Sequence, residues 1–402
     1  MSVKLDFPLI EVEEGSARFY IPKVEGLKER GPASSRVPVF YNPAMKLNRD
    51  IAVLFLKAVS LSHRVKRVCE PMAGCGVRGL RFLLEVSSIE LAVLNDLNPR
   101  AFKLSKLNLE KAGAAGKTEV HNLDAEVLLA RYTAPGERFD YVDLDPYGSP
   151  IPYLDSCLRS VRGGGFLALT ATDMPVLCGA NPKACLRKYG AKPLKVEYCH
   201  ELAARILLAA AVRLAARRDL ALQPLFTHTT DHYTRLYLQV LKGARRADKA
   251  LEQLGRLHHC PRCLNREVTR GLEPPPALKS CPECGGPMEM AGPLWLGNLW
   301  NGETVEAMAR LLPETRLAKP GEASSLLEKV KLEARVEAVG YYTVDRLAEK
   351  FKGRPPSPAS MTETLRGEGF NSSLTHFNPQ GFRTEAPHRL VVEAFRKLSS
   401  QA

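Results

Sequence analysis

The sequence predicts an α/β protein in which a doubly wound, mostly parallel sheet is followed by a smaller α+β domain. Apolar strand patterns alternate with helical patterns through the first 242 residues, as in parallel sheets that carry helices on both faces. The last two of these strands are separated only by residues 230–233, which predicts a closing antiparallel hairpin. After Gly243 the alternation stops and paired cysteines follow. We therefore expect one domain at residues 1–242 and a second at residues 243–402.

The predicted elements follow in chain order. Residues 1–50 contain several prolines and are predicted to be irregular, and an amphipathic helix should begin near Asn48 and run to about Ser62. Strands are predicted at 65–70, 90–95, 118–121, 139–144, 164–171, 222–229 and 234–241, and helices at 77–86, 99–112, 124–131, 151–161 and 197–218. Beyond Gly243 we expect a short helix at 244–257 and a proline-rich stretch at 274–276. Helices at 343–351 and 358–368 should form a helix-turn-helix or winged-helix-like unit.

Composition and charge limit the functional class. Hydrophobic residues make up 45% of the 402 residues and charged residues 25%, as in soluble globular proteins. No apolar run is long enough to span a membrane, and the mixed N-terminus does not resemble a signal peptide, so we expect a cytoplasmic location, or a nuclear one in a eukaryote. No obligate protein partner is evident.

The net charge of +13 is spread over the chain, with +9 in residues 1–242 and +4 in residues 243–402. A positive charge distributed over folded sequence is typical of a protein that binds a polyanion such as RNA. Solubility alone is the alternative explanation of this charge.

A glycine loop follows the first strand of the alternating region. Gly74 and Gly76 lie between a strand and a helix, where they permit a tight turn and close approach of a ligand to the backbone. Asp96 ends the next strand and is placed to bind ribose hydroxyls. Because Gly74, Gly76 and Gly79 also satisfy G-x-G-x-x-G, this stretch alone fits a nicotinamide-dependent enzyme as well as an S-adenosylmethionine-dependent one.

The strand at 139–144 ends in Asp145-Pro146-Tyr147-Gly148, which favours the second possibility. A carboxylate there could accept a proton from the exocyclic amine of a nucleobase while a methyl group is transferred. Pro146 and Tyr147 offer a flat apolar surface on which a base can stack. Asp140 and Asp143 are weaker candidates, and Asp143 shares the strand face of Asp145. The pattern therefore predicts methylation of an amino group on a flat base.

Asp124, after the strand at 118–121, has two open interpretations. It is placed to meet the adenine amino group of a nucleoside cofactor, and it is also a suitable N-cap for the helix that follows. Both roles are compatible.

Four cysteines have the spacing of a zinc ribbon. Cys260, Cys263, Cys281 and Cys284 form two C-x-x-C pairs separated by seventeen residues, which predicts a closed, structural zinc site within residues 258–286. His258 and His259 precede the first pair and are expected to be surface residues rather than ligands. The remaining cysteines are expected to be small buried side chains, although an occasional disulfide stays possible: Cys69, Cys75, Cys157, Cys178, Cys185 and Cys199.

Four stretches resemble the tRNA (guanine(26)-N(2))-dimethyltransferase family. They are V-F-Y-N-P-A-M-K-L-N-R-D (39–50), G-C-G-V-R-G-L-R-F (74–82), L-N-D-L-N-P (94–99) and D-L-D-P-Y-G-S-P (143–150), and their order and spacing agree over essentially the whole chain. The resemblance implies a Rossmann-like, seven-stranded class I methyltransferase domain, S-adenosyl-L-methionine as cofactor and tRNA as partner. Family members that carry a zinc motif also fit the paired cysteines.

The resemblance also assigns roles to individual residues. It implies that the cofactor is contacted by Arg49, Arg78, Asp96, Asp124 and Ala125, and that the guanine pocket is formed by Phe40, Asp145, Pro146 and Tyr147. Many family members have Phe where Tyr147 stands, so a phenolic oxygen enters this pocket. Two rival functions remain at this stage: methylation of another tRNA or rRNA guanine, and RNA binding by an inert zinc-ribbon protein.

Overall fold

The structure is a computed structural model that describes residues 5–23, 37–230, 232–271 and 278–401. Its first element is a hairpin of β1 (Leu9–Glu14) and β2 (Ala17–Pro22), paired antiparallel from Leu9 with Pro22 to Glu14 with Ala17. The prediction that residues 1–50 are irregular is therefore wrong for this segment. Phe19 and Ile21 alternate inward on β2, and the period-two pattern that they form was the missed signal.

A seven-stranded sheet lies at the centre of the alternating region, in the order β5-β4-β3-β6-β7-β9-β8. Neighbours from β5 to β7 are parallel, which confirms the predicted doubly wound arrangement. Its strands are β3 (Arg67–Glu70), β4 (Leu91–Asn95), β5 (Thr118–His121), β6 (Phe139–Leu144), β7 (Val161–Ala171), β8 (Leu220–Thr229) and β9 (Thr234–Lys242).

The last two strands are joined by a short turn, as predicted. The Thr230 N–H donates to the Tyr233 carbonyl at 2.9 Å, while Asp231 within this turn lies outside the described residues. All six residues of β6 are buried, which fits a central strand covered on both faces.

The helices of this region lie close to their predicted bounds, and two short ones were missed. The predicted set is α1 (Lys46–Ser60), α2 (Val77–Glu85), α3 (Pro99–Lys111), α4 (Ala125–Arg131), α5 (Ile151–Ser160) and α8 (Cys199–Ala216). The missed pair, α6 (Met174–Leu177) and α7 (Pro182–Tyr189), lies between β7 and α8. Both are too short to show a clear helical period. None of the helices within the described residues is long and apolar enough to cross a membrane.

The chain after Gly243 contains two small sheets and six helices in its described part. The predicted helix at 244–257 is in fact α9 (Ala244–Leu251) followed by β10 (Leu254–His259), which pairs with β11 (Arg266–Arg270) and β12 (Glu289–Trp295). Helices α10 (Gly302–Leu311) and α11 (Pro320–Glu333) follow. The proline-rich stretch at 274–276 lies outside the described residues.

The C-terminal segment matches the winged-helix-like expectation. Helices α12 (Val344–Phe351) and α13 (Pro358–Gly367) precede a hairpin of β14 (Ser372–Leu374) and β15 (Gly381–Thr384). Strand β13 (Tyr342–Thr343) pairs with β15, and α14 (His388–Gln401) closes the chain. Leu347, Met361, Leu365 and Phe395 form the buried core of this segment.

The chain divides into two compact units that interleave along the sequence. One comprises residues 1–170, 237–241 and 306–327, and the other comprises residues 171–236, 242–305 and 328–402. This division by contacts does not follow a single cut, so the domain boundary at residues 242 and 243 stays a prediction about sequence order.

Candidate active site at the carboxyl edge of the sheet

Four parallel strands bring the predicted site residues to one edge. Because β5, β4, β3 and β6 are adjacent and parallel, the residues that follow each of them lie at the same end of the sheet. The glycine loop follows β3, Asp96 follows β4, Asp124 follows the end of β5 and Asp145 follows β6. All four belong to the first compact unit.

The glycine loop has the conformation that the sequence predicts. Gly74 and Gly76 have φ of 55° and 79°, values that side chains with a Cβ rarely adopt. A Cβ on Gly76 would lie 2.9 Å from the Ser105 Cβ, and a Cβ on Gly74 would lie 2.9 Å from the Phe40 carbonyl oxygen. The loop therefore requires glycine at both positions, and Gly74 packs against the backbone of the segment that carries Phe40.

Asp96 is tied to this loop. Its Oδ2 accepts the Gly74 N–H at 2.8 Å and its Oδ1 accepts the Asn98 N–H at 2.9 Å. Burial raises the pKa of the Asp96 carboxyl above its ordinary value, and these two amides oppose the shift. Each carboxylate oxygen can accept a further hydrogen bond, so Asp96 can still receive hydroxyl donors from a ribose.

Asp124 is the N-cap of α4. Its Oδ1 accepts the Glu126 N–H at 2.8 Å and the Val127 N–H at 3.3 Å, which confirms the capping interpretation. The side chain is exposed, while the neighbouring Ala125 is buried. The adenine interpretation is compatible with this geometry and stays a prediction.

Arg78 is the centre of a buried group of charged side chains beside Asp145. Its guanidinium forms an ion pair with Asp145 through Nη2, lies 3.4 Å from Glu70 Oε1 and lies 3.6 Å from Asp143 Oδ1. Its Nη1 donates to Asn48 Oδ1 at 2.8 Å, and the Tyr141 hydroxyl donates to Asp143 Oδ2 at 2.6 Å. We call the set Arg78, Asn48, Glu70, Asp143 and Asp145 the Arg78 cluster. Its one cation faces three carboxyl groups.

Burial, together with this imbalance of charge, acts on the pKa of Glu70. Burial raises the pKa of the Glu70 carboxyl to about 8, the Arg78 guanidinium opposes the shift, and Asp143 adds to it. Glu70 also accepts the Gly79 N–H at 3.1 Å, so it holds the first turn of α2. At neutral pH the Glu70 carboxyl group is therefore mostly protonated. Unlike the buried Glu70, the Asp145 side chain reaches the surface, with 17% exposure.

Two aromatic rings lie beside Asp145. The ring centroids of Phe40 and Tyr147 are 4.9 Å apart at an interplanar angle of 74°, an edge-to-face contact. Tyr147 is 66% exposed and Pro146 is buried. The structure thus brings Phe40 together with Tyr147, although the two residues are more than a hundred positions apart. Arg36, a basic residue that we also expected near the glycine loop, lies outside the described residues.

Arg49 belongs to a second buried group of charges. Its Nε and Nη2 donate to the two carboxylate oxygens of Glu14 at 2.6 and 2.7 Å, and Arg81 Nη1 donates to Glu14 Oε1 at 3.0 Å. The Tyr41 hydroxyl also donates to Glu14, at 3.0 Å. Arg81 pairs with Asp50 at 2.7 Å and with Glu85 at 2.8 Å. We call Glu14, Tyr41, Arg49, Asp50, Arg81 and Glu85 the Glu14 cluster. A contact between Arg49 and a cofactor stays a prediction.

Sequence reasoning did not identify Glu14, Asn48 or Glu70 as site residues. Asn48 is fully buried, and its Nδ2 has no hydrogen-bond partner among the described residues. Glu70 ends β3, as Asp96 and Asp145 follow β4 and β6, so its position at a strand end was the available signal. Glu14 had no such signal, because the hairpin that carries it was not predicted.

The four cysteines of the predicted ribbon come together. Their Sγ atoms all lie within 4.8 Å of one another, with Cys260 and Cys284 3.5 Å apart and Cys263 and Cys281 3.6 Å apart. The two knuckles turn alike, since the Leu264 N–H donates to the Cys260 carbonyl and the Gly285 N–H donates to the Cys281 carbonyl. Leu264 and Gly285 both have φ of 68°. Four sulfurs in this arrangement suit tetrahedral zinc.

His258 and His259 are buried rather than exposed, so the expectation of surface residues is wrong. They end strand β10, where His259 Nδ1 bonds to the Tyr198 hydroxyl at 3.0 Å and His258 Nε2 to the Thr269 hydroxyl at 3.1 Å. Neither belongs to the cysteine group.

The chain is similar to known proteins over almost its whole length. The family model for N2,N2-dimethylguanosine tRNA methyltransferase matches residues 15–396. A relative from Methanosphaera stadtmanae, named tRNA (guanine(26)-N(2))-dimethyltransferase, is 38% identical over 94% of both chains. A relative from Aquifex aeolicus, named tRNA (guanine(26)-N(2)/guanine(27)-N(2))-dimethyltransferase, is 37% identical over 96% of both chains.

A solved structure agrees with these sequence relatives. The complex of Trm1 from Pyrococcus horikoshii with S-adenosyl-L-methionine matches with a TM-score of 0.85 and 33% identity, over 96% of this chain and 99% of that one. This match confirms the Rossmann-like α/β fold class. The chain therefore belongs to the N2,N2-dimethylguanosine tRNA methyltransferase family.

Proposed function

We propose that this protein transfers methyl groups from S-adenosyl-L-methionine to the exocyclic N2 of guanine 26 in tRNA. The observation that carries this proposal is the position of Asp145, which lies beside the Phe40 and Tyr147 rings and at the same sheet edge as the glycine loop and Asp96. Family membership supports the reaction and the substrate class. We propose that the reaction takes place in the cytoplasm, or in the nucleus if the source is a eukaryote.

The described residues fit a nucleoside cofactor. The glycine loop turns tightly after β3, Asp96 keeps acceptor capacity for ribose hydroxyls, and Asp124 is exposed after β5 for an adenine amino group. We propose that Arg78 and Arg49 also contact the cofactor, as the resemblance to the family implies. When bound, the cofactor supplies an electrophilic methyl group. We expect Asp96→Ala to weaken S-adenosylmethionine binding in calorimetry while tRNA binding is retained; unchanged cofactor affinity would contradict this site.

Asp145 is assigned the role of proton acceptor. The lone pair of the guanine N2 amine is delocalised into the ring, so the amine is a weak nucleophile. A carboxylate that accepts an N–H of this amine localises the lone pair and takes the proton during transfer. Arg78 fixes the Asp145 carboxylate through Oδ2, and Asn48 fixes Arg78 in turn. The reactive carboxylate is thereby oriented before substrate binds.

Phe40 and Tyr147 are proposed to hold the target base. A base within folded tRNA must leave its stack to reach an enzyme site, which costs a few kcal/mol. Stacking on an aromatic ring contributes about 1–3 kcal/mol per base and offsets much of this cost. The exposed Tyr147 ring and the neighbouring Phe40 ring offer such a surface.

The cysteine cluster and the chain after Gly243 are proposed to support tRNA docking. Four thiolates should bind about one zinc ion in a closed site that stabilises residues 258–286. Elemental analysis of Cys260→Ala with Cys263→Ala should show loss of this zinc, and tRNA binding should weaken more than cofactor binding.

Because the net charge is +13, we expect the affinity for tRNA to fall steeply as the salt concentration rises. An affinity that does not change between low and moderate salt would contradict electrostatic binding of the tRNA.

The proposed function is tested by an inventory of modified nucleosides. An unmodified tRNA transcript is incubated with the protein and S-adenosylmethionine, digested and analysed by mass spectrometry. We expect N2-methylguanosine and N2,N2-dimethylguanosine that disappear when guanine 26 is replaced by adenine. Methylation of a ring nitrogen, or of a base outside this region, would overturn the assignment.

Guanine 27 is a second candidate target, because the Aquifex aeolicus relative is named for both positions. A transcript with adenine at position 26 and guanine at position 27 distinguishes the two. Methyl transfer to this transcript would extend the substrate to position 27.

A further inference from the structure

A second group of metal-binding side chains lies at the start of α8. Cys178 follows α6, while Cys199 and His200 are the first two residues of α8. One ligand atom from each lies within 4.8 Å of the other two. We propose that Cys178, Cys199 and His200 bind a zinc ion in addition to the one expected at the four-cysteine cluster.

The fold holds these side chains in place. Gly179, directly after Cys178, has φ of 93°, and a Cβ there would lie 2.9 Å from the backbone of Leu194 and Lys195. This close approach joins the end of α6 to the segment that leads into α8. Leu177 and Tyr198, the residues before the two cysteines, are fully buried. The ligand set is therefore anchored from both sides by core packing.

The chemistry of the donors suits zinc. Zinc is a borderline-soft ion that binds cysteine thiolates and histidine nitrogen in proteins. Cys199 opens a helix of eighteen residues, and the partial positive charge at a helix N-terminus stabilises a thiolate. All three ligand residues are partly exposed, so an ion can enter from solvent. Three protein ligands leave one tetrahedral position for water.

The remaining cysteines outside the ribbon provide a contrast. Cys69, Cys75, Cys157 and Cys185 are buried, as the sequence predicts for small core side chains. Cys178 and Cys199 are not buried, so that prediction is wrong for this pair. A disulfide between them would require an external oxidant and would leave His200 without a role. The imidazole beside both sulfurs favours a metal ion.

Zinc stoichiometry of the full-length protein tests the proposal. The protein is purified with a reductant and without chelator, equilibrated with excess Zn²⁺, desalted and analysed for zinc per chain. The variant is Cys178→Ser with Cys199→Ser, and the matched control is Cys185→Ala, which removes a nearby buried cysteine outside the group. We expect two zinc ions for the wild type and the control, and one for the double variant.

Three further results decide the proposal. His200→Ala removes one ligand and should release the second zinc to a competing chelator sooner, which keeps the test valid if the double variant misfolds. With Co²⁺ in place of zinc, the double variant should lose the thiolate absorption contributed by two of six cysteines. Equal zinc content in wild type and double variant, or a Cys178–Cys199 disulfide in protein purified in the presence of reductant, would overturn the proposal.

Discussion

The Arg78 cluster and the Glu14 cluster both place buried arginines against carboxyl groups, yet the pKa values of Glu70 and Glu14 shift in opposite directions. In the Glu14 cluster, burial raises the pKa of Glu14, but Arg49 and Arg81 outweigh this effect and hold the pKa at about 2. In the Arg78 cluster, burial raises the pKa of Glu70 to about 8, because the single arginine, which three carboxyl groups share, does not outweigh this effect. Glu14 therefore stays ionised at neutral pH, while Glu70 holds a proton. The Arg78 cluster also includes the partly exposed Asp145.

Adjacent residues divide between the candidate active site and the Glu14 cluster. Asn48 contacts Arg78 while Arg49 binds Glu14, and Phe40 meets Tyr147 while Tyr41 donates to Glu14. In each pair, one residue therefore contacts the candidate active site, and its neighbour contacts the buried Glu14. The comparison teaches that a buried carboxyl group in contact with two arginines, such as Glu14, stays charged, whereas Glu70, which shares a single arginine with two other carboxyl groups, holds a proton.

The largest expected effect is on turnover, and it distinguishes Asp145 from Asp140, a carboxylate at the other end of β6. Asp145→Asn removes the proposed base and should lower turnover by about 10²–10⁴-fold. Asp140 instead accepts the backbone N–H groups of Lys66 and Arg67, both at 2.8 Å, so Asp140→Asn should leave turnover per folded molecule within a few-fold of wild type. Single-turnover kinetics measures both. Near-normal turnover of Asp145→Asn would end its assignment as base.

The second effect is on stability. Glu14→Gln leaves Arg49 and Arg81 buried without their shared carboxylate and should lower the free energy of unfolding by about 3–5 kcal/mol. Glu70→Gln resembles the protonated group already present at neutral pH and should cost much less. Chemical denaturation of the two variants at pH 7 makes the comparison. Equal losses would show that the two clusters do not differ as described.

The pH dependence of stability should have opposite signs for the two groups. The stabilisation from Glu14 is present above its ordinary pKa of 4.5 and is lost as pH falls through about 2. The folded protein holds a proton on Glu70 that the unfolded chain releases, so stability should fall as pH rises from 4.5 to about 8. Denaturation at several pH values should show this decline in wild type and a weaker decline in Glu70→Gln. Identical profiles would contradict the raised pKa.

A smaller effect, on cofactor affinity, distinguishes the two proposed roles of Asp124. Asp124→Ser keeps an N-cap oxygen but removes the carboxylate, whereas Asp124→Ala removes both. If the carboxylate binds the adenine amino group, both variants should lose about 1.5–3 kcal/mol of cofactor binding, and only Ala should also destabilise the protein. Calorimetry and thermal unfolding separate these effects. If Asp124→Ser bound the cofactor with wild-type affinity, Asp124 would act only as the N-cap of α4 and not as an adenine-binding residue.

The smallest effect compares two neighbouring aromatic residues. Phe40→Leu removes a stacking ring and should weaken binding of the flipped guanine by about 1–3 kcal/mol, which lowers methylation more than overall tRNA binding. Tyr41→Phe removes only the hydroxyl that donates to Glu14 and should reduce stability while methylation per folded molecule is kept. Normal methylation by Phe40→Leu would remove Phe40 from the base pocket.

The features that could be predicted from the sequence are those that periodic or local patterns encode. The strands of the central sheet, the strand-end residues Asp96 and Asp145, and the spacing of the four cysteines are all periodic or local patterns, and the structure brings them together as expected. The two arginine clusters could not be predicted in this way. Glu14 meets Arg49 and Arg81 across 35 and 67 positions, and the side-chain partners of an arginine depend on packing that leaves no local pattern.

Replacement of guanosine 26 by inosine tests the central claim most directly. Inosine lacks the exocyclic N2 amine and keeps the rest of the purine, so tRNA binding and base stacking should change little. We predict that the wild-type protein transfers methyl groups to tRNA with guanosine 26 and none to position 26 of the inosine-containing tRNA. Equal methyl transfer to inosine 26 would place the accepting atom elsewhere and contradict the proposed reaction.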